Sequence, residues 1–463
     1  MTANKSPGSH YTFTEGRGKT IFIVVSIIFI TLLLDTSIIR ISDLTLKSTS
    51  SWRLGLFAIM AAISLVGQNL TLRFIKQKVN ESTAVQKSLR LNSIYKVAVT
   101  VHYILAAILV FIILQMLMTL RYDVVLLTAA ITTSYVFAAA MMGILCHRFF
   151  SWFRLNKNYV ISLYGLSSMM LAVNICVTLW LVNSILLTVP GEVMPRVLTV
   201  MPSAIDVNPI SSTLNYAYII TTIISFIITW CATIGLLKNY THKMGKFAYW
   251  IVLIAPLAYF ISQFLVLYLG LFGPLLISNP IFFGLLFTIM FTLSKPIGGI
   301  IFGIGFWLIA KNIQKDNVVR SYLIISAYGF LLLLTSNQAM LLTFTQYPPF
   351  GLVTISFVGL SSYLVLVGIY SSAISISQDA NLRREIRHLA IKESKLLHSI
   401  GLAQIEEEVK RRVLHIARIN KNHLAEAAVP SALDDDDVNQ YLDAVLKEIK
   451  RSKKERPFTN ENP

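Results

Sequence analysis

The sequence predicts an all-α fold: a polytopic transmembrane bundle of about ten spans, both termini cytoplasmic, continued into a C-terminal cytoplasmic helical or coiled-coil tail. Three observations carry this expectation. Of 463 residues, 55% are hydrophobic and only 14% charged, with mean hydropathy +0.65; a soluble domain typically carries about 25% charged residues. Ten apolar runs lie near 20–39, 54–72, 97–120, 124–146, 160–188, 216–237, 247–270, 281–310, 322–344 and 350–372. After Ser372 the chain turns polar without a Pro- or Gly-rich linker.

Each run is roughly long enough, at about 1.5 Å per residue, to cross about 30 Å of hydrocarbon. In lipid the backbone must satisfy its own hydrogen bonds, and continuously apolar runs do so as helices rather than barrel strands. The first run follows Arg17 and Lys19 and leads through Asp35-Thr36-Ser37 into more apolar chain, so it reads as a retained signal anchor.

Loop charge sets the orientation. Segments 1–19, 73–96, 147–159, 238–246 and 311–321 carry 18 Lys and Arg, whereas the alternate loops 40–53, 121–123, 189–215, 271–280 and 345–349 carry 5. Basic loops stay inside, so the expected organisation is a cytoplasmic tail at 1–19, a bundle at 20–372, a heptad-patterned helix at 373–425 and a short amphipathic end at 426–463, in the cell membrane. Trp52, Tyr122, Trp152, Tyr159, Tyr240 and Tyr322 lie near run boundaries and are expected as interfacial anchors.

The net charge of +17 does not point to nucleic acid. From Ala373 onward the balance is 16 basic against 15 acidic residues, so the excess sits in the short loops. The expected partner is the lipid bilayer. Cys146, Cys176 and Cys231 fall in or beside apolar runs without metal-type spacing and read as buried thiols. No cofactor, metal site, nucleophile–base pair or kinase motif is legible, so a non-enzymatic protein is expected. The loop 190–213, with four prolines, is either an irregular cap on the bundle or part of a ligand site.

The run 281–310 contains the candidate intramembrane site. Lys295 is its sole charge, and a charge in a span is a functional-site hypothesis with a partner to be named. The spans offer one carboxylate for it, Asp35. Pro296 removes a backbone bond to Thr292 and is expected to kink the helix, while Gly299 and Gly303 have the spacing of a close-packed helix face. Either the helix is kinked and closely packed, its lysine neutralised by carbonyls or reaching the outer interface, or a broken helix lines an anion or substrate site. His102, Gln115, Asn174, Asn183, Gln263, Asn337 and Gln338 are expected as interhelical hydrogen bonds.

In the tail, Leu382, Ile386, Leu389, Leu396 and Ile400 follow heptad spacing, and Ile405, Val409, Ile416 and Ile419 resume it after Gly401. Glu406–Lys410, Glu407–Arg411 and Glu408–Arg412 are acid-first pairs that favour helix. Pairing through 382–419 with a second copy or a cytoplasmic protein follows. Asp434 to Asp437 lead an amphipathic stretch and suit a helix N-terminus better than a spaced calcium loop.

The passage SSAISISQDANLRREIRHLAIKESKLLHSIGLAQIEEEVKRRV (371–413) resembles the span-to-tail passage of uncharacterised polytopic membrane proteins from ammonia-oxidising archaea. The resemblance implies an archaeal cell membrane and transfers no functional residue. Two functions remain open: a sensor or signalling scaffold relaying through the cytoplasmic helix, or a transporter or channel built around Lys295-Pro296.

Overall fold

The computed structural model describes residues 8–45, 50–81, 89–187, 192–193, 209–238, 245–268, 273–279, 282, 285–286, 288–314, 317–338, 347–378, 395–426 and 444. Its long helices are α1 (Gly8–Thr45), α2 (Ser50–Glu81), α3 (Leu89–Thr119), α4 (Val124–Leu155), α5 (Tyr159–Leu186), α6 (Pro209–Leu237) and α7 (Lys246–Tyr268). A short α8 (Gly273–Ser278) and a π-helical turn (Thr288–Thr292) precede α9 (Ser294–Lys311), α10 (Val318–Ser336), α11 (Leu352–Gln378) and the tail helix α12 (Lys395–Glu426). Ten of these are long and apolar enough to cross a membrane, one for each run read from the sequence. The protein is a multi-pass membrane protein by that measure.

Side-chain distribution follows the solvent. Large apolar groups such as Phe22, Ile27, Ile30 and Leu34 of α1, and Ile104, Phe111 and Leu114 of α3, are exposed on the outside of the bundle, where lipid would cover them. Hydroxyl and amide side chains, among them Ser167, Asn174, Thr229, Ser326, Asn337 and Ser361, are buried inside.

The last span is the axis of the fold. Every residue of α11 from Leu352 to Ser377 is buried, and it packs chiefly on α10, α4 and α12, with α1, α2 and α3 also in contact. Its serines make this possible. Ser361, Ser362, Ser372 and Ser377 return their hydroxyls to carbonyls of their own helix, so these four small polar residues sit inside with their donors met. Gly329 of α10 lies against the Val365 backbone, where a Cβ would come within 2.6 Å of its nitrogen, and Gly368 lies against Ser326 and the Tyr322 carbonyl. Two helices therefore approach closely through reciprocal glycines.

At the end of the bundle opposite α12, two short strands pair antiparallel, β1 (Tyr122–Asp123) with β2 (Glu192–Val193), tying the start of the 190–213 loop to the α3–α4 turn. The rest of that loop up to Pro209 lies outside the described residues, as do Leu382, Ile386, Leu389 and the 427–463 end apart from Ala444.

Three of the expected interfacial anchors are core residues instead. Tyr122, Trp152 and Tyr322 are fully buried. Tyr122 stacks on Tyr347, Trp152 bonds the tail, and the Tyr322 hydroxyl donates to the Lys78 carbonyl. Trp52 and Tyr159 are exposed, as an interfacial role requires.

Candidate functional site

Lys295 and Asp35 do not pair. The sequence expectation rested on opposite charge alone, and each group instead serves a helix end. The Lys295 ammonium donates to the backbone carbonyl of Asn337 at 3.2 Å and to the Tyr218 hydroxyl at 3.1 Å, with the Tyr218 ring 5.3 Å away. Asn337 is the residue at which α10 stops, eight residues short of the run read from the sequence. A buried helix end leaves carbonyls without partners, and a cation there meets both those carbonyls and the negative end of the helix dipole. Lys295 lies 16 residues before Lys311, about 24 Å along α9, near the border facing away from the tail.

Asp35 performs the complementary task. Its Oδ2 accepts from both the backbone N–H and the hydroxyl of Thr354, each at 2.8 Å, in the first turn of α11. An anionic acceptor at a helix N-terminus satisfies an orphan donor and suits the positive end of the dipole. The consecutive helices α10 and α11 thus end and begin on a cation from α9 and an anion from α1.

Asn337 also gathers the neighbouring spans. Its Oδ1 accepts from the Tyr135 hydroxyl at 3.0 Å, and its Nδ2 donates to Asn174 Oδ1 at 3.1 Å. Asn174 in turn donates to Thr222 at 2.8 Å and Thr221 at 3.2 Å. Five helices, α4, α5, α6, α9 and α10, meet in this layer. Other side chains expected to bond between helices do so, His102 with Gln68 at 2.8 Å, Asn183 with Thr132 at 3.3 Å and Gln263 with Ser294 at 3.1 Å, whereas Gln115 accepts from the Asp123 N–H at 3.1 Å in the turn that follows its own helix.

Pro296 acts differently from the expected mid-helix kink. The irregularity falls before it, in the π-turn, and α9 begins at Ser294, so the proline sits in a first turn where its missing N–H costs little. The Thr292 carbonyl that it leaves free accepts from Gln338 Nε2 at 3.2 Å. Gly299 and Gly303 form the expected packing face: added Cβ atoms would stand 3.0 Å from the Leu331 carbonyl and 2.8 Å from the Ala327 carbonyl. The small residues of α9 let it lie against the α10 backbone.

At the other end, α12 folds back on its own bundle. Arg148 of α4 bonds Glu407 at 2.8 Å while its guanidinium lies 4.8 Å over the Tyr370 ring. Trp152 Nε1 donates to Gln404 at 3.0 Å, and Asn158 donates to the Ser399 hydroxyl at 2.8 Å. Leu396, Leu397, Ile400 and Ala403 are buried, and Gly401, read as a break in the heptads, is where α12 lies against Ile376. Leu396 and Ile400 therefore face the chain's own spans rather than a partner helix. The heptad pattern missed this because periodicity gives a face but not what covers it. Beside the contact, Ser93, Ile94, Ala140, Gly143, Ile144, His147, Arg148 and Tyr370 line an open groove of about 760 Å³.

No protein-family model, curated protein or solved structure matches this chain. Its function is therefore read from this geometry.

Proposed function

We propose that the protein is a non-enzymatic sensor or signalling scaffold of an archaeal cell membrane, with both termini cytoplasmic, in which α11 and α12 carry a change in the spans to the cytoplasmic side. One observation supports this reading above the others. The buried helix α11 starts on the Asp35 carboxylate and ends where Ile376 meets Gly401 of α12, so one rigid element touches both the capped layer and the tail. The tail contact has a buried apolar centre and a polar edge, with Glu407 about one-third exposed, and that edge suits a contact that opens and closes. Cysteines replacing Asn158 and Ser399 report that contact by their crosslinking rate. Lys295→Met is expected to change the rate, and an equal rate in a folded variant removes the relay.

A transporter or channel is the second reading, favoured by one feature. The π-turn interrupts the helical run just before α9, beside a cation, an arrangement that in carriers receives an anionic group. Flux of organic and inorganic anions into proteoliposomes, abolished by Lys295→Met, would support it. The mutual satisfaction of Lys295, Asn337, Asn174 and Tyr218 favours a structural layer.

A further inference from the structure

The two sides of α12 differ in what covers them. Leu396, Ile400, Ala403, Gln404 and Glu407 face the bundle. On the opposite side stand Leu402, Val409, Val413 and Ile416, which are 37%, 42%, 36% and 57% exposed, with Ile405 half-buried between them. At about 100° per residue, these five fall within roughly 80° of one another, a narrow apolar seam. α12 is not among the helices apolar enough to cross a membrane, and an exposed apolar seam on such a helix is where an interaction surface is sought.

The order of residues names the occupant. Counted outward from Val409, the sequence is reciprocal: Ile405 and Val413 stand four positions away on either side, and Leu402 and Ile416 seven. Glu406, Glu407 and Glu408 precede the centre, and Lys410, Arg411 and Arg412 follow it. We propose that α12 pairs antiparallel with α12 of a second copy of this chain, in register about Val409. Leu402 of one helix then meets Ile416 of the other, and Ile405 meets Val413.

The charges choose the direction. Glu406 and Lys410 flank one side of the seam, and Glu408 and Arg412 the other. In the antiparallel pair each side faces itself reversed, so Glu406 lies beside Lys410 of the second copy and Glu408 beside Arg412 of the second copy. A parallel pair faces one side with the other, placing Glu406 by Glu408 and Lys410 by Arg412. Like charges at four flanking contacts select against that arrangement. The seam spans about 21 Å of helix, short for free peptides, but two chains held in one membrane meet at high effective concentration.

The pairing does not depend on the relay: failure of far-end substitutions to affect α12 would leave it standing. The test uses the full chain in membranes, with Cys146, Cys176 and Cys231 replaced by serine. After mild oxidation Val409→Cys is expected to give a disulfide-linked dimer, since the residue meets its own copy at the two-fold axis. Leu402→Cys and Ile416→Cys are each expected to stay monomeric alone and to link when the two variants are co-expressed. Glu406→Lys with Glu408→Lys is expected to lower the Val409→Cys dimer several-fold, and adding Lys410→Glu and Arg412→Glu to restore it. Absence of a Val409→Cys dimer, as when another protein or the chain's own 438–449 segment covers the seam, overturns the proposal. Self-linking at Leu402→Cys and Ile416→Cys overturns it too, by showing a parallel pair.

Discussion

Lys295 binds the backbone carbonyl of Asn337, the residue at which α10 stops. Asp35 holds the first turn of α11 through Thr354. The two intramembrane charges therefore act on successive helices at separate points. Their energies are expected to be independent. Lys295→Met and Asp35→Ala should each destabilise by about 1–3 kcal/mol, the cost of leaving buried polar groups without partners. In the double variant the losses should add within about 0.5 kcal/mol, as for groups that share no contact. Thermal or denaturant unfolding in one detergent, measured for the full cycle, checks this. A coupling of several kcal/mol would restore the ion pair.

Gln338 and Pro296 give a second cycle. Gln338→Leu removes the donor to the Thr292 carbonyl and is expected to cost about 1–3 kcal/mol. Pro296→Ala supplies a backbone N–H four residues after Thr292, so it should recover part of that loss. The same unfolding measurement on the pair reads the rescue. If Pro296→Ala makes Gln338→Leu worse, the carbonyl assignment is wrong.

Glycine substitutions separate packing from mere small size. Gly303→Ala puts a methyl 2.8 Å from the Ala327 carbonyl and should cost about 1–3 kcal/mol by forcing α9 from α10. Nothing lies within 4 Å of an added Cβ at Gly143, where Ala should be neutral or stabilising by up to about 1 kcal/mol. Melting temperatures of the two variants should move in opposite directions or differ clearly.

Docking of α12 rests on Arg148, whose side chain is 9% exposed while that of Glu407 is 32% exposed. Either Arg148→Gln or Glu407→Gln is expected to loosen the helix, leaving the more buried Arg148 costlier to orphan. Limited trypsin digestion should cut faster at Lys410, Arg411 and Arg412 in both variants. Cleavage at the wild-type rate would assign docking to the apolar contacts of Leu396 and Ile400 alone.

The ten spans and the interhelical amides were legible because lipid leaves few alternatives: a long apolar run must be a helix, and an amide inside must find a donor or acceptor. The glycine face at Gly299 and Gly303 was legible by the same logic. Partners of the charges were not. Opposite charge suggested Lys295 with Asp35, but a helix end also carries charge, and hydropathy does not show where α10 stops at Asn337. Trp152 and Tyr322 fit the pattern of interfacial anchors while being enclosed by helices distant in sequence. The heptads at Leu396 and Ile400 were visible, but their cover, the ends of α4, α5 and α11, is set by the fold.

The most direct test of the relay is hydrogen exchange of the amides in 395–426, comparing wild type with Asp35→Asn in the same lipid nanodiscs. Asp35→Asn alters the cap at one end of α11 and touches nothing in α12. Coupling through α11 is expected to change protection around Ser399, Gln404 and Glu407 while the remaining spans keep theirs. Identical exchange of α12 in the two folded proteins would contradict the relay.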